Sequence, residues 1–405
     1  MKKMPRTKSI LVFTFFLIVF SCDKPNQEIK PDEQWDLETI VKDPMFVSLE
    51  QAEKIAPWVE RFYTRSQQAN SGRVSSPSTV TKSTTATEKG IPYYYVFNYR
   101  DGGWTIISSD RRMMPVLAFS KNGSFESVDV NKPLGLDLWE NATKQVVKDL
   151  RKSKSNVATA SITGEWSTLE CIPDAVRIGY GRTQECRSPD EFVSQITKGP
   201  LLTTNWNQGC GYNASCPQAT GGPCGRAWTG CVATAMAQVI RYWQYPSGYN
   251  FANMPNNSPN TDVAQLMSAA GISVNMSYGA EASGAYMNDI DDALRNTFRY
   301  RSATYSSYNY ITVQNNLNNL RPVILGGCNN QKTILGIPYK WSNCHAWVCD
   351  GYQQTNYVGY SYLMFHMNWG WGGSYNGWFQ FMNWNINGIN RNYQYNQDAI
   401  VNIQP

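Results

Sequence analysis

Apolar residues along this 405-residue chain recur in two rhythms. Ala52, Ile55, Ala56, Val59 and Phe62 fall on one face at helical spacing and predict a short amphipathic helix. Leu138, Ala142, Val146 and Leu150 step by four and predict a second helix. Val232, Ala235, Met236, Val239, Ile240 and Trp243 make a third, more strongly apolar stripe, which Pro246 ends. Elsewhere the pattern shortens to strand-like runs. Residues 93–99 and 104–109 flank the turn Arg100-Asp101-Gly102-Gly103, a hairpin, and residues 116–120 extend it to the turn Lys121-Asn122-Gly123. Further strand-like runs cover 345–350 and 360–369. Residues 66–90 are Ser/Thr-rich with few large apolar side chains and read as a loop. Residues 151–200 mix a basic run (Arg151, Lys152, Lys154) with Ser/Ala-rich stretches and read as a linker with nickable backbone.

The N-terminus has its own pattern. Lys2, Lys3, Arg6 and Lys8 precede an eleven-residue apolar run over 10–20. A bilayer span needs about 20 residues, so the run fits a signal peptide instead. It ends in Val19-Phe20-Ser21-Cys22, which resembles a bacterial lipobox with Cys22 as the lipidated residue. Anchoring there takes more than one acyl chain. Residues 23–45 read as a polar tether. The expectation is an exported protein: an outer-membrane-associated lipoprotein, on the cell surface or secreted, touching a membrane only through its N-terminal lipid.

Composition narrows the function. Lys+Arg 36 against Asp+Glu 31 gives a net charge of +5, too mild for a protein held to nucleic acid by backbone charge. With 42% hydrophobic residues and a mean hydropathy of −0.44, the chain is neither disordered nor an integral membrane protein overall. The charge is unevenly spread. Residues 201–405 hold 9 Lys+Arg and 7 Asp+Glu but nine of the 14 Trp, so the two halves look built for different jobs. Only two histidines exist, His345 and His366, and neither has the partner that an HExxH zinc site needs. No metal or cofactor is expected. Ten cysteines occur with no C-x-x-C pair, against a zinc ribbon or a thioredoxin-type site. Export makes disulfides the default. Setting aside Cys22 and one candidate nucleophile leaves eight cysteines expected to pair, in an unassigned pattern.

That candidate is Cys231. It follows Gly230 at the start of the third helix, where unpaired N–H groups and the helix dipole favour a thiolate. Its base must be one of the two histidines. His345 opens the run His345-Ala346-Trp347-Val348-Cys349-Asp350-Gly351. His366 lies in a strand-like run in which it shares a face with Asn368. The run Gly370-Trp371-Gly372-Gly373 lacks the Lys and the spacing of a phosphate loop.

Four motifs in order carry a resemblance. Pro200-Leu201-Leu202-Thr203-Thr204 with Trp206-Asn207-Gln208, Gly230-Cys231-Val232-Ala233-Thr234-Ala235-Met236-Ala237-Gln238, His345-Ala346-Trp347-Val348, and Asn368-Trp369-Gly370-Trp371-Gly372-Gly373 resemble the streptopain family of secreted bacterial cysteine peptidases. Upstream, Tyr95-Val96-Phe97-Asn98, the segment 103–110 and the segment 115–120 look like the family's inhibitory prodomain. The resemblance implies an α+β chain: a papain-like peptidase domain preceded by a small α+β prodomain. It implies Cys231 as nucleophile, His345 as acid and base, and Asn368 as the group that orients the imidazole. Gln208 and the Cys231 N–H would form the oxyanion hole, with Trp369 shielding the site and His366 structural. The implied activity is a cysteine endopeptidase made as a zymogen, with protein or peptide substrates and its own prodomain as intramolecular inhibitor. The implied divisions are 1–22 signal peptide, 23–150 tether and prodomain, 151–200 linker with the activation cleavage, and 201–405 peptidase. One departure stands out: the family's Gly before the catalytic His is Cys344 here, a side chain expected to narrow the cleft or form a disulfide. Two other readings remain. One is an inactive surface lipoprotein that binds glycan or protein through its many Trp and Tyr. The other is acyl transfer, which Asn368 in place of an Asp disfavours.

Overall fold

The computed structural model describes residues 36–63, 77–126, 132–153, 158–177, 192–334, 337–357, 360–380 and 395–405. The expected signal peptide, Cys22 and most of the expected tether lie outside the described residues.

The first apolar stripe forms a helix, following a short one. Helix α1 (Leu37–Val41) is capped by Asp36, whose side chain accepts from the Thr39 N–H at 2.7 Å. Helix α2 (Leu49–Tyr63) buries Ala52, Ile55, Ala56 and Val59. The segment 66–90 departs from its reading. Strand β1 (Val80–Glu88) pairs antiparallel with β2 (Ile91–Tyr99). Its β-branched threonines suit a pleated, half-exposed edge, although they give no apolar signal. Strands β3 (Trp104–Ser108) and β4 (Val116–Ser120) complete the predicted hairpin and its extension. Gly103 is required at the turn: φ is +90°, and a Cβ there would come within 2.7 Å of the Ser120 carbonyl oxygen.

Helix α3 (Leu134–Ser153) buries the predicted stripe of Leu138, Ala142, Val146 and Leu150. The span read as a linker also contains regular structure. Helix α4 (Ala160–Arg177) buries Ile162, Trp166 and Leu169, and Trp166 Nε1 donates to the Met113 carbonyl at 2.8 Å. Strand β5 (Phe192–Lys198) pairs with β8 (Ile337–Tyr357). The linker reading misses α4 because a helix needs only this one stripe of three apolar side chains to dock.

A buried ionic network ties the upstream unit together. Asp110 accepts from Arg112 Nε at 2.8 Å and Nη2 at 2.7 Å. Arg112 also reaches Asp43 at 2.7 Å, and Arg151 approaches Asp110 at 3.4 Å.

The downstream unit sets helices α5 (Cys231–Trp243) and α6 (Thr261–Ser273) against strands β6 (Ser302–Ser307), β7 (Val323–Ile334), β8, β9 (Tyr360–Asn368), β10 (Gly377–Phe379) and β11 (Tyr395–Gln404). Among the described residues one sheet runs through both units in the order β1-β2-β3-β4-β10-β9-β8-β7-β11-β6, with β5 on β8. The two units join where β4 meets β10, Ala118 opposite Phe379 and Phe119 opposite Trp378.

Strand alternation decides what each face of β8 touches. Ala346 and Val348 face the core beneath α5, with Val232, Met236 and Ile240. Trp347 and Cys349 face the core beneath α3, with Leu136, Trp139 and Trp369. The second core therefore belongs to both units at once. Each fully buried indole in it removes roughly 200 Å² from water, worth ~5 kcal/mol before entropic costs.

The cysteines depart from the expectation that eight pair. Cys210–Cys224 and Cys328–Cys344 are disulfides, and Cys171 is disulfide-bonded. Cys216 and Cys349 are buried and unbridged. Both sit where a small apolar residue packs, and burial raises the pKa of both thiols.

Candidate active site

Cys231 is the first residue of α5, and Gly230 ahead of it has φ +86°. A side chain at 230 would also strike Met276, whose Cε lies 2.8 Å from an added Cβ. Glycine is thus fixed at this position by both backbone and space, immediately ahead of Cys231. His345 stands on β8 in antiparallel register with Gly327 of β7. The disulfide Cys328–Cys344 bridges the next pair along the same ladder. Cys344 therefore does form a bridge, and it also lines the cleft.

Cys231, His345 and Gln208 line one cleft of about 630 Å³. Gln208 is buried, and its Nε2 has no hydrogen-bond partner among the described residues. Lys132, just ahead of α3, and Leu134, its first residue, line the same cleft. The next residue, Gly135, presses directly on the indoles behind the site. A Cβ there would lie 2.8 Å from the Trp369 ring and 2.9 Å from the Trp347 ring.

His345 is buried, and its Nε2 lies 3.2 Å from the Trp369 carbonyl oxygen. A carbonyl only accepts, so this bond puts a proton on Nε2. Burial pushes the imidazole down to about 4, opposed by that bond. Burial pushes the Cys231 thiol up, against the pull of backbone N–H groups of Ala346, Val232 and Cys231 itself. Both shifts favour the neutral forms. The thiolate expected from the helix dipole is outweighed here by desolvation.

Among the described residues Asn368 makes no hydrogen bond to the His345 imidazole; its amide is bonded elsewhere. Its Oδ1 accepts from Gln238 Nε2 and from the Gly370 N–H, each at 3.2 Å. Its Nδ2 donates to the Thr204 carbonyl at 2.7 Å. Gln238 Oε1 in turn accepts from Thr204 Oγ1 at 3.1 Å and the Trp206 N–H at 3.2 Å. Both ends of the Asn368 amide are occupied in this buried network, and the neighbouring Trp369 carbonyl faces His345 instead. The Trp369 indole is fully buried, donates to the Tyr375 carbonyl at 3.0 Å, and lies between Trp347 and Phe379. His366 is held elsewhere, its Nδ1 2.6 Å from Asp350 Oδ1. Asp350 Oδ2 accepts from the Leu202 N–H at 3.0 Å, so this pair fastens the segment that leads to Gln208.

The Peptidase C10 family model matches residues 206–248 and 247–379, and the Spi protease inhibitor model matches residues 44–147. The chain belongs to the streptopain-like cysteine peptidases. This streptopain-like chain is 24% identical over 361 residues to streptopain of Streptococcus pyogenes, covering 77% of the chain and 80% of streptopain. It is 25% identical over 374 residues to the thiol protease/hemagglutinin PrtT of Porphyromonas gingivalis, over 79% of the chain. It spans 38% of the length of PrtT. Among solved structures it is similar to a mutant fragment of Prevotella intermedia prointerpain A, with a TM-score of 0.53 and 26% identity, over 80% of this chain and 99% of that one. The streptopain-like fold is α+β and papain-like, with an inhibitor-type prodomain ahead of the peptidase unit.

Reading the sequence missed Gln238 and the Trp369 carbonyl. Gln238 ends the quoted nucleophile-helix motif and was visible as a polar residue on a buried helix. A backbone carbonyl leaves no signature in a sequence.

Proposed function

We propose that the chain is the precursor of an endopeptidase that hydrolyses peptide bonds of proteins. The observation that carries this reading is the meeting of Cys231, His345 and the unpartnered Gln208 amide in one cleft. Cys231 Sγ attacks the scissile carbonyl carbon. The carbonyl oxygen takes negative charge beside Gln208 Nε2 and the Cys231 N–H, donors typically worth ~3 kcal/mol each. His345 takes up the thiol proton and returns it to the leaving amine as the C–N bond breaks. Water then attacks the thioester, its proton passing to His345, and Cys231 is restored. The Trp369 carbonyl holds the Nε2–H, leaving Nδ1 as the base. Asn368 acts as a positioning residue for that carbonyl, and the Trp369 indole keeps water from it.

Residues 23–150 serve as the tether and inhibitory prodomain, with Lys132 and Leu134 at the cleft and Gly135 against Trp347 and Trp369. Its removal rehydrates His345, raises the imidazole pKa and permits the thiolate–imidazolium pair. The activating cut falls within 151–200, outside α4 and β5, and leaves a peptidase unit of about 201–405. Residues 1–22 act as the export signal, with Cys22 as the lipid site of an outer-membrane-associated protein.

The test is labelling with an epoxide cysteine-peptidase inhibitor, together with casein digestion and N-terminal sequencing of the active form. Wild type should label and digest, and Cys231→Ala should do neither. An N-terminus within 151–200 is expected. No labelling and no digestion after prodomain removal would sink the reading.

A further inference from the structure

The cleft contains a group of side chains that peptide-bond chemistry does not use. Trp228 lies three residues before Cys231 and anchors a distant turn. Its backbone N–H donates to the Gly279 carbonyl at 3.3 Å, and its indole Nε1 donates to the Ala280 carbonyl at 3.0 Å. That turn is closed at its base by the Ser277–Gly284 bridge and inside by the Gly279 N–H on Ser283 Oγ at 3.1 Å. Its tip brings Glu281 to the cleft wall. The Trp228 ring runs parallel to Trp371, at 8° with centroids 6.4 Å apart. Trp371 in turn meets the His345 ring edge-on at 6.4 Å. Both indoles are half-buried and line the cleft, so part of each is open to an occupant. Gly209 makes room for them: a Cβ there would come 3.3 Å from the Trp228 ring.

The charges in the cleft are unequal in permanence. Lys132 belongs to the prodomain side, and its ammonium is bound by Glu140 at 2.8 and 3.0 Å. It departs with the prodomain. Glu281 stays, a carboxylate lining the same cleft as the two indoles, in a half of the chain with few charges.

We infer that Trp228, Trp371 and Glu281 form a subsite for an Arg or Lys side chain of the substrate, next to the scissile bond. This rests on the peptidase reading of the same cleft. The aliphatic stem lies along the indoles, the cation sits near a ring face, and the carboxylate supplies the opposite charge. Arg is the better fit, because a planar guanidinium both stacks and pairs. The subsite selects which peptide bonds are cut and leaves the bond-breaking steps unchanged.

The experiment uses activated enzyme and fluorogenic peptides in which each position around the scissile bond is, in turn, Arg, Lys, norleucine or Phe. At one position Arg and Lys should exceed norleucine in kcat/KM by about 10-fold. Glu281→Gln should lower the Arg-to-norleucine ratio at that position about 5-fold, and Glu281→Lys should bring it below one. Raising the salt should shrink the ratio in wild type. A preferred norleucine or Phe at every position overturns the inference, as does a ratio unmoved by Glu281→Lys. An enzyme that labels at Cys231 but shows no Arg preference overturns this inference alone. One that neither labels nor cleaves overturns the peptidase reading along with it.

Discussion

The Nε2 atom of His345 lies 3.2 Å from the carbonyl oxygen of Trp369, inside a core that prodomain and peptidase side chains build together. Burial there holds the imidazole at about 4, against 6.5 for a solvated histidine. Its folded pKa is lowered, so the unfolded chain binds the extra proton between those values. Stability from this source is complete above about 6.5 and is lost as pH falls toward 4. In a Cys231→Ala precursor, His345→Gln should remove ~2–3 kcal/mol of the stability drop between pH 7 and about pH 4.5, read by urea unfolding. Parallel pH profiles for the two proteins would contradict it.

Gly135 should govern how firmly the prodomain sits. Val at this position drives a branched side chain into Trp347 and Trp369. Overpacking of this kind costs ~1–3 kcal/mol, a factor of about 5–150 in the seated population. Full-length Gly135→Val should therefore react with the epoxide inhibitor at Cys231 at least several-fold faster than wild type. An unchanged labelling rate would mean that the prodomain is held elsewhere.

Asp110 carries the charge balance of the upstream unit. Asp110→Asn keeps the shape but removes the carboxylate that pairs with both buried arginines, Arg112 and Arg151. Breaking one partner of a buried pair costs ~3–5 kcal/mol. The precursor's Tm should drop by several degrees. A Tm within a degree of wild type would show that water compensates the arginines.

Gln208→Ala in the activated enzyme should lower kcat by ~10²–10³ with KM little changed, since an oxyanion donor acts mainly in the transition state. A loss confined to KM would assign Gln208 to ground-state binding.

What the sequence disclosed follows from which signals are local. Helices α2, α3 and α5 were legible because each has a clean apolar stripe. Helix α4 was not, since Ile162, Trp166 and Leu169 are diluted by Gly164 and by serines and threonines. Strand β1 was hidden by its threonines, and β10 is three residues long, with pairing set by register far along the chain. Cys231, His345 and Gln208 were legible as side chains in motifs, and they do share a cleft. Glu281 was not, because its place at the cleft depends on two hydrogen bonds from Trp228, far upstream in the chain.

The seam between β4 and β10 has a consequence for activation. A cut between α4 and β5 breaks one covalent bond and none of the described contacts across the seam. Ala118 still faces Phe379, Trp139 Nε1 still donates to the Gln380 carbonyl, and the Tyr362 hydroxyl still donates to the Val116 carbonyl. Nicking thus turns an intramolecular inhibitor into a bound subunit whose release depends on concentration. Full activity then waits on dilution, or on a second protease that consumes the freed piece faster than it can dock again.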